Sequence, residues 1–315
     1  MKEVITLGEP MVVFMADVPG SLEDAEHFSK GMAGAEMNVA IGLSRLEHDV
    51  MYLTKLGNDP FGKYMQKFMA NEKILTDGIH IDPVYQTGFY LKNKVLEGDP
   101  EIFYYRKNSA ASHLCPEDVD KVDFTGAKWL HVTGISPALS ESCRAAVFRS
   151  IERAREYGMT VSFDPNIRVS LWKTTEEMQE CMNRIAALSD YILPGIKEGK
   201  ILTGLDTVDE IADFYLNMGC KGVIIKNGEK GACYKLKGES LKEVAGYHVE
   251  HIVDTVGAGD GFATGMISGC LENLPMAEAV KRGNAIGAIV ITSKGDNENL
   301  PTRDELKKFM ENNGR

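Results

Sequence analysis

The sequence has no CxxC pair, no zinc-ligand spacing and no dense block of lysine and arginine. Its six cysteines, Cys115, Cys143, Cys181, Cys220, Cys233 and Cys270, are scattered. That pattern argues for buried thiols in a reducing compartment, not for a disulfide or metal framework. The formal net charge is −11. Without a basic patch to offset it, nucleic acid and anionic membranes are poor partners. No apolar run reaches membrane-spanning length, and the opening stretch Met1-Lys2-Glu3-Val4-Ile5-Thr6-Leu7 is too short and too interrupted for a secretory signal. A cytoplasmic location is expected. There is also no internal repeat, no low-complexity tract and no early strand-Gly-x-Gly-x-x-Gly-helix unit, which argues against a dinucleotide-dependent dehydrogenase.

What is present is an alternation. Short apolar runs (Val4–Leu7, Trp129–Val132, Thr160–Phe163, Tyr191–Leu193, Gly222–Ile225 and His248–Val253) read as strands. Between several of them lie helical stretches, Ser142–Tyr157, Glu177–Ala187 and Glu210–Met218, and Ala277–Val290 reads as a buried small-residue helix. Strands alternating with such helices predict an α/β fold with a mainly parallel central sheet covered on both faces. At 315 residues the chain is long enough for a substantial core. Thr87–Leu96 and Glu101–Arg106 break the pattern: they are β-rich and separated only by Glu97-Gly98-Asp99-Pro100, the signature of a hairpin. With residues near Val12–Lys30 they are expected to form a small β lid over the main sheet.

Chemistry concentrates in Asp254-Thr255-Val256-Gly257-Ala258-Gly259-Asp260-Gly261, placed between the run His248–Val253 and the helical stretch Asp260–Leu271. Glycines at such a turn present successive N–H groups at a helix N-terminus, where unpaired donors and the helix dipole favour an anion. Asp260 there has two readings. It is a simple helix cap, or a carboxylate held beside a bound phosphate and able to take a proton from an attacking hydroxyl. Gly57-Asn58-Asp59-Pro60-Phe61-Gly62-Lys63 has P-loop spacing, but Tyr64 stands where a hydroxyl should meet magnesium and Pro60 removes a donor. It is rejected as a P-loop.

The Asp-Thr-x-Gly-Ala-Gly-Asp string resembles the C-terminal signature of the PfkB, or ribokinase-like, carbohydrate kinases. Met32-Ala33-Gly34-Ala35-Glu36-Met37-Asn38-Val39-Ala40 is similar to the N-terminal one. Asp164-Pro165-Asn166 and Lys226-Asn227-Gly228-Glu229-Lys230-Gly231 follow in the family's order. The resemblance implies a ribokinase-like three-layer α/β/α fold over residues 1–315, with a lid from about 12–30 and 87–106. It implies ATP and Mg2+ as cofactors, and allows a monovalent cation such as K+. Asp260 would be the base, with Gly257, Ala258 and Gly259 as the anion hole. Asn166, Arg168, Lys226, Gly228, Gly231 and Asn284 would meet the nucleotide; Asn284 alternatively satisfies a buried backbone group. Glu198 would organise the metal, or is a solvated acid at a helix start. The family's usual Asn-x-x-Glu reads Gly195-Ile196-Lys197-Glu198 here, without the asparagine.

Substrate choice is expected in the lid. Tyr104 and Arg106 stand two apart and share a face that Tyr90 can join. Arg168 adds a second cation, and an arginine pair suits a sugar acid better than a neutral hexose. Gly34, Asn38, Tyr90, Tyr104, Arg106, Arg168, Asp260 and Asp296 form the expected substrate set, although Asp296 reads equally well as a turn residue. Gly34, Tyr90, Tyr104-Tyr105-Arg106 and Asn166-Ile167-Arg168 together resemble the branch of the family that acts on 2-keto-3-deoxygluconate. The rival enzymes are fructokinases or ribokinases acting on a neutral sugar, and the rival of another class is a non-catalytic sugar or nucleotide sensor. Exposed lid strands are expected to be buried against a second copy.

Overall fold

Successive residues of Val4–Leu7 point to opposite faces of the sheet they join: Val4 enters one hydrophobic core, Ile5 and Leu7 the other. The same division runs through the whole computed structural model, which describes residues 2–96, 100–293, 295 and 297–313. Its strands are β1 (Val4–Leu7), β2 (Met11–Pro19), β3 (Phe28–Ala33), β4 (Val50–Gly57), β5 (Ile79–Asp82), β6 (Phe89–Lys94) and β7 (Ile102–Tyr105). After them come β8 (Trp129–Thr133), β9 (Thr160–Asp164), β10 (Tyr191–Ile192), β11 (Gly222–Lys226), β12 (Ala232–Leu236) and β13 (Lys242–Val244).

The main sheet has the order β13-β12-β11-β10-β9-β8-β1-β4-β5. From β11 to β5 every neighbouring pair is parallel, and β12 and β13 close one edge as antiparallel strands. Helices Glu141–Glu156, Thr175–Ala187 and Val208–Met218 pack into the core on one face. Ala35–Arg45, Pro60–Asn71, Ala258–Leu271, Met276–Val290 and Arg303–Asn313 cover the other. This is the expected three-layer α/β architecture. Because the central strands are parallel, the ends of β1, β8, β9 and β11 emerge along one edge, where α/β sheets bind their ligands.

A second sheet, ordered β3-β2-β6-β7, stands apart from the first. The expected hairpin is its β6–β7 pair, with Tyr90 opposite Tyr104. Of its connecting loop, Glu97, Gly98 and Asp99 lie outside the described residues. The chain passes between the two sheets at Gly8–Pro10, Gly34, Thr87–Gly88 and Arg106–Ser109.

One expected strand is absent. His248–Val253 is irregular, although its β-branched residues read as β. The edge beyond β11 is already filled by β12 and β13. The segment is tied instead to the end of a helix, the Val253 N–H donating to the Ile291 carbonyl at 2.8 Å. All six cysteines are free thiols. Among the described residues no helix is long and apolar enough to cross a membrane.

Ala258–Leu271 and Met276–Val290 approach closely through small residues. A Cβ on Gly265 would lie 2.6 Å from the Arg282 carbonyl oxygen and from the Gly283 nitrogen, both backbone atoms that cannot swing aside. Gly265→Ala should therefore cost about 1–3 kcal/mol, the range for overpacked sites, read as a lower midpoint in urea unfolding. An unchanged midpoint would mean that the two helices separate without cost.

Candidate active site

The Ala258–Leu271 helix begins at Gly257, which is its N-cap in the left-handed region at φ 79°. Asp260 is therefore not the cap; it is the third residue of the helix, and it is buried. Its carboxylate is held by two side-chain amides instead. Asn38 Nδ2 donates to Oδ2 at 2.8 Å and Asn166 Nδ2 to Oδ1 at 3.2 Å. Asn38 lies in the first turn of Ala35–Arg45, and its side-chain oxygen Oδ1 accepts from Asn297 Nδ2 at 3.1 Å. That bond fixes which way the Asn38 amide points and turns its donor towards Asp260. Asn166 follows β9 with φ 38°, a value tolerated by asparagine.

Behind this carboxylate sits a buried ion pair. Lys226, at the end of β11, donates to Asp164 Oδ2 at 2.6 Å, and Asp164 at the end of β9 is 1% exposed. Burial works against the Lys226 charge, but the carboxylates of Asp164, Glu198 and Asp260 outweigh it and hold its pKa above the ordinary lysine value. Glu198 accepts from the Ile167 N–H at 2.8 Å and from the Gly195 N–H at 2.7 Å. Gly195 is the N-cap of the helix Ile196–Thr203 and brings no side chain to the site. Each Glu198 oxygen keeps a further lone pair for a water. Among the described residues no group of three acidic, histidine or cysteine side chains could hold a metal unaided. The residues present fit a hard cation carried in by a phosphate ligand and reached through water.

Two cavities meet at this helix end. The first, of about 330 Å³, is lined by Gly34, Asn38, Tyr90, Tyr104, Arg106, Asn166, Arg168, Glu198 and Asp260. The second, of about 780 Å³, is lined by Gly228, Gly231, Ala258 and Asn284 among others. Lys226, Thr255 and Gly259 line both, and Gly257 lines the first. Asn166 and Arg168, expected on the nucleotide side, thus lie in the smaller cavity with Asp260. Asn284 lines the larger cavity and also donates to the Val244 and Ala245 carbonyls, each at 3.1 Å. Asp296 lies outside the described residues. None of Gly57 to Lys63 lines either cavity; Asp59 caps Pro60–Asn71 and accepts from the Thr87 N–H at 2.7 Å.

On the lid side the Tyr90 and Tyr104 rings lie 5.2 Å apart, and the Arg106 guanidinium is 5.6 Å from the Tyr104 ring. Arg106 is also paired with Glu9, at 2.7 Å from Nε and 2.5 Å from Nη2. The Glu9 side chain is fully buried and also accepts from the Ser109 hydroxyl. Glu9, Glu36 and Lys92 are lining residues that the sequence reading missed. Burial raises the Glu36 pKa, against hydrogen bonds from Thr133 and Ser136. The available signals were the Gly8-Glu9-Pro10 step straight after β1, and the two-residue spacing of Tyr90 and Lys92.

The pattern that defines the pfkB family carbohydrate kinases matches residues 1–303. The chain is 45% identical over 309 residues to the 2-dehydro-3-deoxygluconokinase of Bacillus subtilis, covering 98% of this chain and 95% of that one. It is 32% identical to a probable fructokinase-4 of Arabidopsis thaliana, covering 98% and 97%. The crystal structure of a PfkB protein from Polaromonas sp. JS666 superposes with a TM-score of 0.88 at 43% identity, covering 98% and 99%.

The Lys226–Asp164 pair yields a direct test. Lys226→Met leaves the Asp164 carboxylate buried without its cation, which should cost about 3–5 kcal/mol of stability. Adding Asp164→Asn should restore most of that loss in denaturant titrations. A double variant no more stable than Lys226→Met would mean that the two residues do not depend on each other.

Proposed function

The chain belongs to the pfkB family of carbohydrate kinases and is an ATP-dependent sugar kinase, and on that premise we propose that its acceptor is 2-dehydro-3-deoxy-D-gluconate, phosphorylated at the terminal hydroxyl. The observation that carries this reading is the pair of arginines, Arg106 and Arg168, on the cavity that also holds Asp260. Arg106 donates from Nε to Glu9 and holds Nη2 in an ion pair with the same oxygen, which fixes the guanidinium and leaves Nη donors for a carboxylate. Arg168 is exposed and only loosely tethered, Nη1 donating to the Ile167 carbonyl at 3.1 Å. The relative from Bacillus subtilis carries a name with the same substrate.

The nucleotide lies in the larger cavity and the sugar in the smaller, so that the γ-phosphoryl group reaches the N-terminus of Ala258–Leu271. Asp260 takes the hydroxyl proton as the new O–P bond forms and the bond to ADP breaks. Asn38 and Asn166 each engage one of its oxygens and hold the carboxylate in line. The amides from Gly257 to Asp260 and the ammonium of Lys226 stabilise the charge on the phosphoryl oxygens. Glu198 would hold Mg2+ through water, and the ion, when bound, neutralises phosphate charge. The chain works as one unit with its four-stranded sheet as the lid, closing the site against water. Outside that lid, Phe103 and Tyr105 of the edge strand β7 stay exposed, which supports a homo-oligomer joined through it.

Two sets of variants test these assignments. Asp260→Asn keeps the shape but cannot take the proton, so kcat should fall by about 10² or more while nucleotide affinity by titration barely changes. Near-normal turnover would remove Asp260 from the chemistry. Arg168→Met, and Arg106→Met combined with Glu9→Gln so that no buried carboxylate is stranded, should each lower kcat/KM on the acid by roughly ten- to a hundredfold. On fructose the same changes should cost little. Equal losses on both sugars would place the arginines on the scaffold or the nucleotide.

A further inference from the structure

Lys92 stands two residues after Tyr90 on β6, so the two side chains face the same way. Its side chain is 9% exposed, and Nζ donates to Asp254 Oδ2 at 2.8 Å. Asp254 opens the turn that leads into the Ala258–Leu271 helix, and its other oxygen, Oδ1, accepts from the Val256 N–H at 3.0 Å. One carboxylate therefore joins the small sheet through one oxygen and shapes the glycine turn through the other. Within the turn the Ala258 N–H donates to the Thr255 carbonyl, and the Asp254 N–H reaches the Ile291 carbonyl, each at 3.4 Å. Ile252, Val253 and Val256 are 60%, 47% and 36% exposed, so it is not pinned by burial in a core. On its other side it is tied by the Val253 N–H to the Ile291 carbonyl.

We propose that Lys92 and Asp254 form a positioning pair that registers the lid against the phosphoryl-binding turn. When the lid is seated on the acceptor, Lys92 fixes Asp254, and Asp254 sets the backbone from Val256 onward, where the amides that receive the phosphoryl group begin. Acceptor binding and anion-hole geometry are thereby coupled through one ion pair. The inference rests on the phosphoryl-transfer reading of this site, and not on which sugar is the acceptor. It also separates Lys92 from the arginines: its ammonium is committed to the turn, so its effect falls on the transfer step for any sugar.

The test is a double-mutant cycle on the full chain with Lys92→Met, Asp254→Asn and the combination, using 2-dehydro-3-deoxygluconate and fructose at saturating ATP. Each single change should lower kcat between about ten- and a hundredfold, the scale of a small misplacement of reacting groups. The loss should be alike on both sugars, and the double variant no worse than the poorer single. Lys92→Arg should recover most of the rate. Should Lys92→Met fail to fold, Lys92→Gln takes its place in the cycle. Losses that multiply would overturn the pair, and so would a Lys92 effect confined to the KM of the acid, which marks a direct substrate contact. A wild-type chain that turns over no acceptor would instead remove the kinase reading on which the proposal stands.

Discussion

Everything in the site depends on keeping one carboxylate, Asp260, buried at a helix N-terminus. A buried carboxylate without hydrogen bonds is costly, and here the compensation comes from stretches far apart in the chain. Asn38 is 222 residues away in sequence and Asn166 is 94. Asn38 arrives on the helix that follows β3 and Asn166 on the loop that follows β9, and the two amides converge on the start of Ala258–Leu271. The Lys226–Asp164 pair follows from the sheet topology, since β11 and β9 flank β10 and finish beside one another.

The second constraint is where the two sheets join. Each crossing is held by a polar tie or by a tight backbone approach. Glu9, just past β1, grips Arg106 and Ser109, just past β7. Asp59, capping one helix, holds the Thr87 N–H ahead of β6. Gly34, at φ 134°, passes so near Glu9 that a Cβ would lie 2.8 Å from its carbonyl oxygen. These ties place Tyr90, Tyr104 and Arg106 on the smaller cavity, which Glu9, paired with Arg106, also lines.

The legible parts of this architecture were those written in short stretches. The glycine turn, the Gly34–Asn38 segment, Asp164-Pro165-Asn166 and the Tyr104–Arg106 spacing each carry their geometry locally, so motif and period were enough. The partners that arrive from elsewhere were not legible. Glu9, Lys92 and Asn297 matter only because folding brings them to Arg106, Asp254 and Asn38. His248–Val253 misled for a related reason: its composition favours a strand, but strand formation needs a free edge, and β12 and β13 had taken it. The cap reading of Asp260, weighed beside the base reading, falls because Gly257 occupies that position.

Whether the two cavities that meet beside Gly259 serve a sugar acid is read from acceptor preference. The measurement is ADP release by the unmodified chain with 2-dehydro-3-deoxy-D-gluconate, its galacto epimer, fructose, ribose and gluconate under one set of conditions. Losing an acceptor's charge-assisted contacts costs about 1.5–3 kcal/mol, so kcat/KM on the 2-keto-3-deoxy acid should exceed that on fructose or ribose by roughly tenfold or more. A higher kcat/KM on fructose or ribose would contradict the account.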